Sequence, residues 1–130
     1  MYERRHRAYQ SRCLGTGALS KYHSRKTEVD GHLFDSAAEA RRYQELGLLQ
    51  VAGEIGEIEL QPVFVLLDPF THAGKRYRGI RYVADFRYRV FGHGEVVEDV
   101  KGKRTAVYLV KRQLLLAKYP GIDFREIDAH

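Results

Sequence analysis

The chain has one cysteine, Cys13, so no disulfide can form within it, and a reducing setting is the expectation. It has no tryptophan and only three prolines. No apolar run approaches the length of a membrane span, so no membrane partner is expected. The opening residues, Met1-Tyr2-Glu3-Arg4-Arg5-His6-Arg7, lead into no apolar signal-peptide core. A cytoplasmic protein follows as an expectation. The six histidines are scattered and lack the spacing of a zinc site.

What remains is an ordinary globular composition. The 130 residues are 44% hydrophobic and 30% charged, which suits one domain with its own core and argues against disorder throughout. The net charge of +5 favours a polyanionic partner. Its distribution is uneven. Residues 1–26 hold Arg4, Arg5, Arg7, Arg12, Lys21, Arg25 and Lys26 against Glu3 alone, so the rest of the chain is close to neutral. We read residues 1–26 as a basic flexible arm able to neutralise phosphates, and residues 27–130 as the folded domain.

Along that domain, Thr27 to Phe34 reads as a short strand or turn about Asp30-Gly31. A helix runs from Ala37 to Val51, with Ala40, Tyr43 and Leu46 at helical spacing and Gly53 past its end. Ile58 to Leu67 reads as a strand, and Thr71 to Lys75 as a polar turn. Tyr77 to Phe91 alternates, with Ile80, Tyr82, Ala84, Phe86, Tyr88 and Val90 on one face and Arg81, Val83, Asp85, Arg87 and Arg89 on the other. After the turn Gly92-His93-Gly94, Glu95 to Lys101 returns as an antiparallel strand. A second helix spans about Thr105 to Tyr119, with Val107, Val110, Leu114 and Ala117 among its apolar positions. Ile122 to Ile127 makes a last strand that this helix could return parallel to its neighbour. The order α-β-β-β-α-β predicts an α/β domain with a mixed sheet and flanking helices.

Asp99-Val100-Lys101 and Asp85 carry the chemistry. Residues two apart in a strand share a face, so Asp99 and Lys101 point together, and a hairpin can set Asp85 beside them. Converging carboxylates repel unless a cation lies between them. Mg²⁺ or Mn²⁺, hard ions that take oxygen ligands, suit that place. A lysine beside the ligands can orient water or stabilise developing negative charge. An acid-x-Lys pair also arises by chance on solvated strands. Here Val96, Val97 and Val100 mark the strand as buried, where unpaired charge is costly. Glu98 points the opposite way and is expected to meet a basic group there, though a bulge would exchange its role with Asp99. Glu39 is open between two readings. Ser36-x-x-Glu39 is a capping box, and the same face carries Glu39 toward the sheet.

A glutamate in the first helix, an aspartate on a strand, then acid-x-Lys on the next strand with a helix behind it resembles the PD-(D/E)xK nuclease superfamily. Phe34-Asp35-Ser36-Ala37-Ala38-Glu39-Ala40, Val83-Ala84-Asp85-Phe86 and Glu98-Asp99-Val100-Lys101-Gly102 resemble small phage-encoded members. The layout is similar to archaeal-type Holliday junction resolvases, which are compact homodimers. The resemblance spans roughly residues 21–126. Ala84 stands where the name-giving proline would be, and Asp99 replaces the more usual glutamate.

The resemblance implies a restriction-endonuclease-like fold and a homodimer that cuts DNA, with four-way junctions as the first candidate substrate. If phage-encoded, it would work in the cytoplasm of a bacterial host. Asp85, Asp99 and the Val100 carbonyl would hold Mg²⁺ or Mn²⁺, Glu39 would assist, and Lys101 would position the attacking water. Arg4, Arg5, Arg7, Arg25, Lys26, Arg81, Arg87, Lys103 and Arg104 are the candidate DNA contacts. The alternatives are a flap, nicking or restriction-like nuclease, or a non-catalytic recombination accessory protein. For the arginines of the alternating strand, a solvated face explains them nearly as well.

Overall fold

A computed structural model of the protein describes residues 26–129. Arg4, Arg5, Arg7 and Arg25 lie outside the described residues. The elements run β1 (Thr27–Val29), β2 (His32–Phe34), α1 (Ala37–Val51), β3 (Glu59–Leu60), β4 (Val63–Leu67), β5 (Phe70–His72), β6 (Lys75–Tyr77), β7 (Ile80–Val83), β8 (Phe86–Val90), β9 (Gly94–Lys101), α2 (Ala106–Lys118) and β10 (Asp123–Asp128). The protein is a mixed α/β domain.

The central sheet has the order β10-β9-β8-β3. Its outer pair, β9 and β10, is parallel, joined through α2, and β8 is antiparallel to both β9 and β3. Strand β9 has a neighbour on each side and a helix over each face, so both alternating sets of its side chains are buried. Val96 and Val100 join Phe34, Ala40, Leu46, Phe86 and Tyr88 under α1. Val97 joins Phe64, Tyr82, Ala84, Tyr108 and Leu115 under α2.

Local chemistry explains the helix ends. The Ser36 hydroxyl accepts a hydrogen bond from the Glu39 amide at 3.1 Å, which caps α1. Gly53, with φ +79°, closes the other end in the left-handed region. The Thr105 hydroxyl accepts from the Tyr108 amide at 3.1 Å and starts α2.

Two expected strands need correction. The strand expected from Ile58 to Leu67 is two strands, because Gln61 takes φ +53° and Pro62 has no amide to donate. The long strand expected from Tyr77 to Phe91 is divided among the end of β6, β7 and β8. Its break at Ala84-Asp85 lies opposite the Gln61-Pro62 bend, with Ala84 N–H donating to the Pro62 carbonyl and Gln61 N–H to the Asp85 carbonyl. Tyr82 and Ala84 therefore pack under α2, whereas Phe86 and Tyr88 pack under α1, so the expected single face is split between two layers. The polar turn expected from Thr71 to Lys75 is present at Ala73-Gly74, with Thr71, His72 and Lys75 in the strands of the β5–β6 hairpin that it closes. The simple order α-β-β-β-α-β thus gains strands at each of these points.

The apolar positions singled out on the second helix also face outward. Val107 is 65% and Val110 59% exposed, and the buried positions are Tyr108 and Leu115.

Candidate active site

The site forms where β8 and β9 part. Residues 98 and 100 of β9 turn their backbone groups toward β8, because alternate residues of a strand present N–H and C=O to the same edge. The Glu98 carbonyl accepts from the Asp85 amide. One position pair further on, β8 has ended, and the Val100 amide donates instead to the Asp85 carboxylate at 2.7 Å. The strand break therefore replaces a backbone acceptor with a side-chain carboxylate. It also leaves the Val100 carbonyl on the same edge as Asp85.

Asp99, 2% exposed, lies on the α2 face of β9. Its carboxylate accepts a short hydrogen bond from the Tyr82 hydroxyl and lies 3.3 Å from the Lys101 ammonium. Lys101 also sits 4.5 Å from the centre of the Tyr108 ring, a cation–π contact that fixes its long side chain. The expected pairing of Asp99 with Lys101 on one face is present.

Glu39 reaches the site from α1. It lines a narrow cleft together with Asp85, Gln61 and Phe34. Its carboxylate accepts a hydrogen bond from the Asp35 amide, one residue before the Ser36 cap, and the same side chain lines the cleft with Asp85.

Electrostatics record the crowding. Burial, then the charges of Asp85 and Asp35, push the Glu39 carboxyl up to about 8. Burial pushes Asp85 up to about 6, against the opposing pull of the Val100 amide and the Lys101 charge. Burial also pushes Asp99 up to about 6, again against Lys101. These carboxylates would gain from a further cation. Among the described residues no three His, Cys, Asp or Glu side chains already converge as a metal cage. The donor set is nonetheless all oxygen, from carboxylates and one available strand edge, and that chemistry fits Mg²⁺ or Mn²⁺.

Glu98 is placed differently. It is fully buried on the α1 face, where Arg42 clasps it through Nε at 2.8 Å and a second guanidinium nitrogen at 2.6 Å. Tyr88 adds a short hydrogen bond. The basic group expected on that face is Arg42. No bulge interrupts β9 at this point, and Phe86 pairs directly with Glu98.

The candidate DNA contacts divide. Lys26 pairs with Asp35 at 3.0 Å, so the end of the basic arm is tied to the fold beside Glu39. Arg87 pairs with Glu59 at 2.6 Å. Arg104 is held by Glu126 at 2.9 Å and Asp128 at 3.3 Å. Lys103 is exposed. Arg81 and Arg87 do not continue the Asp85 face as expected, because the strand breaks between them. Both instead line a groove of about 740 Å³ that also takes in Tyr43 and Gln61. Leu60 and Gln61 line the Glu39–Asp85 cleft as well, so the groove and the cleft are neighbours.

Sequence reasoning missed several neighbours. Tyr82 and Tyr108 have the ring burial expected of core residues, but their hydroxyls reach Asp99 and Glu126. Glu126 is the parallel-register partner of Asp99 and is gripped by Arg104 and Arg112. Only the crossover sets that register, so no local signal announced it. The Pro62 bend was visible as Gln61-Pro62, but its pairing with the Asp85 break was not.

Fold and site together define a mixed α/β domain with a buried carboxylate–lysine cluster at a strand junction. Residues 19–128 match the family described as "Protein of unknown function (DUF1064)", and the chain belongs to that family. No curated protein and no solved structure matches the chain. Among the described residues no helix is long and apolar enough to cross a membrane.

Proposed function

We propose that this protein is a metal-dependent DNA endonuclease of the PD-(D/E)xK type, with a restriction-endonuclease-like arrangement about β8, β9 and α2. The observation that carries the reading is that Asp85 takes the Val100 amide where β8 and β9 part, next along β9 to the Asp99–Lys101 pair, while Glu39 from α1 lines the cleft beside Asp85. A structural salt bridge explains Asp99 and Lys101, but not why two more carboxylates crowd the same junction.

In this reading Asp85, Asp99 and the Val100 carbonyl hold Mg²⁺ or Mn²⁺, with Glu39 assisting. The bound ion supplies Lewis-acid stabilisation of phosphate charge and a more acidic water. Lys101, steered by Asp99 and the Tyr108 ring, orients the water that attacks the phosphodiester and lowers the energy of the charge that builds there. Arg81, on the groove wall, is placed to hold a backbone phosphate.

Branched DNA, with the four-way junction first, is the proposed substrate, and a homodimer is proposed because paired cuts need two sites. The test is cleavage of a labelled four-way junction and a matched linear duplex, with Mg²⁺ or EDTA, by wild type and Asp85→Ala. Metal-dependent junction cleavage lost in the variant supports enzyme, site and substrate together. Equal cleavage of both DNAs keeps the nuclease and removes the junction preference. Binding without cleavage in either metal replaces the reading with an accessory DNA-binding protein.

A further inference from the structure

The β5–β6 hairpin belongs to none of the site described above. Every residue from Leu67 to Arg78 is exposed, so neither face of this ribbon is covered by a core. A two-stranded ribbon without a core is marginal by itself, and ordering each residue costs about 1–2 kcal/mol. The hairpin nevertheless has a defined build. Ala73 and Gly74 take φ +49° and +77°, the paired positive values of a tight turn matched to strand twist. Phe70 and Tyr77 are cross-strand partners whose rings stack at 4.9 Å with 7° between planes. At the root, a Cβ on Gly79 would lie 2.3 Å from the Leu67 carbonyl oxygen and 3.1 Å from Pro69, so only glycine lets the two strands close.

Its charge is one-sided. Lys75, Arg76, Arg78 and Arg81 fall within seven residues, and no acid occurs between Asp68 and Asp85. Lys75 lies over the Tyr77 ring at 5.1 Å. Among the described residues Arg76, Arg78 and Arg81 have no carboxylate partner, as is also true of Arg41 and Arg89, whereas Arg42, Arg87, Arg104, Arg112 and Arg125 are paired. The register places Phe70, His72, Lys75 and Tyr77 on one face and Thr71 and Arg76 on the other, so cations project from both. Arg81, beyond the hairpin's root, lines the groove that shares Leu60 and Gln61 with the Glu39–Asp85 cleft.

We propose that the β5–β6 hairpin is a DNA-contacting prong, in which Lys75, Arg76 and Arg78 seat against backbone phosphates of the duplex that continues from the Arg81 groove. This rests on the nuclease reading for its choice of partner. A ribbon of this width fits a duplex groove, and cations on both faces meet the phosphates of both groove walls. The stacked Phe70–Tyr77 pair stiffens the ribbon, so its cations arrive pre-ordered.

The test is binding of the full chain to a fluorescently labelled four-way junction and a linear duplex, in Ca²⁺, across a salt series. The variant is Lys75→Gln/Arg76→Gln/Arg78→Gln. Affinity should fall on the order of 10- to 100-fold, and the slope of log affinity against log salt should shrink by about 0.9 for each phosphate that the variant no longer neutralises. Thermal stability should stay at the wild-type value, since these side chains are exposed. Phe70→Ala/Tyr77→Ala should weaken binding while leaving the salt slope unchanged. Unaltered affinity and slope in the triple variant overturn the proposal. So does a matched double-stranded RNA that competes as well as the DNA. If wild type binds but never cuts in Mg²⁺ or Mn²⁺ while the triple variant loses affinity, the nuclease reading fails and the prong stands. If the triple variant binds and cuts like wild type, the nuclease stands and the prong falls.

Discussion

Glu98 and Asp99 are adjacent on one strand and sealed from solvent to the same degree, yet they face opposite layers and meet different partners. On the α1 side, Glu98 receives a two-point clasp from Arg42 and a hydroxyl from Tyr88, so its charge is matched within the fold. On the α2 side, Asp99 has one tyrosine hydroxyl and a single ammonium at 3.3 Å, and its carboxyl is pushed up to about 6. Asp85 and Glu39, near the same junction, are pushed up as well. Burial alone does not distinguish a structural carboxylate from a reactive one; the balance of its neighbours does.

The sharpest way to break the comparison is to remove the cation on each side. Lys101→Met should lower metal-dependent DNA cleavage about 100- to 1,000-fold with little change in melting temperature. Arg42→Ala strands a buried glutamate and should destabilise the protein by about 3–5 kcal/mol, read by urea unfolding. If Lys101→Met unfolds the protein, or Arg42→Ala leaves it as stable as wild type, the two sides are not as described.

Next in size is the response to pH and metal. Glu39, Asp85 and Asp99 have folded-state values raised above those of the unfolded chain. The folded protein therefore holds more protons than the unfolded one, and its stability falls as pH rises. For the aspartates the fall spans about pH 4 to 6, and for Glu39 it continues to about 8. In EDTA, this part of the melting temperature should decline from pH 5 to pH 8. Mn²⁺ at a hundredfold excess over its Kd should restore about 2.7 kcal/mol at pH 8. Asp99→Asn should flatten the decline without metal and remove much of the rescue. A metal-free melting temperature that rises over this range would contradict the crowding.

The smallest effect concerns the hydroxyl that reaches Asp99. Tyr82→Phe keeps the buried ring and removes one hydrogen bond, so a stability change of about 1 kcal/mol is expected. The midpoint of the Asp99 titration should also move upward, followed by carboxyl NMR.

Much of this arrangement was legible in the chain. The helix over Ala37–Val51 is set by Ser36, its apolar spacing and Gly53, all local signals. The return strand ending in Asp99-Val100-Lys101 is set by its valines and by the glycine turn before it. The parallel last strand follows from a helix of crossover length. What was not legible depends on pairing across distance. The apparent alternation from Ile80 to Val90 runs through Asp85 unbroken, so nothing local marks the switch of layers that the Gln61-Pro62 bend imposes. The second helix carries apolar residues on most of its surface, so periodicity alone did not select Tyr108 and Leu115 as the inward pair. That Glu98 needed a basic partner was foreseeable from burial, but that Arg42 would supply it depended on how α1 lies across β9.

The most direct test compares the two carboxylates themselves. Metal-dependent cleavage of labelled DNA should be measured for Asp99→Asn and Glu98→Gln, with rates normalised to the folded fraction. The account predicts loss on the order of 1,000-fold or more for Asp99→Asn and a change within about tenfold for Glu98→Gln. Loss of cleavage in Glu98→Gln with Asp99→Asn still active would reverse the assignment of the two faces.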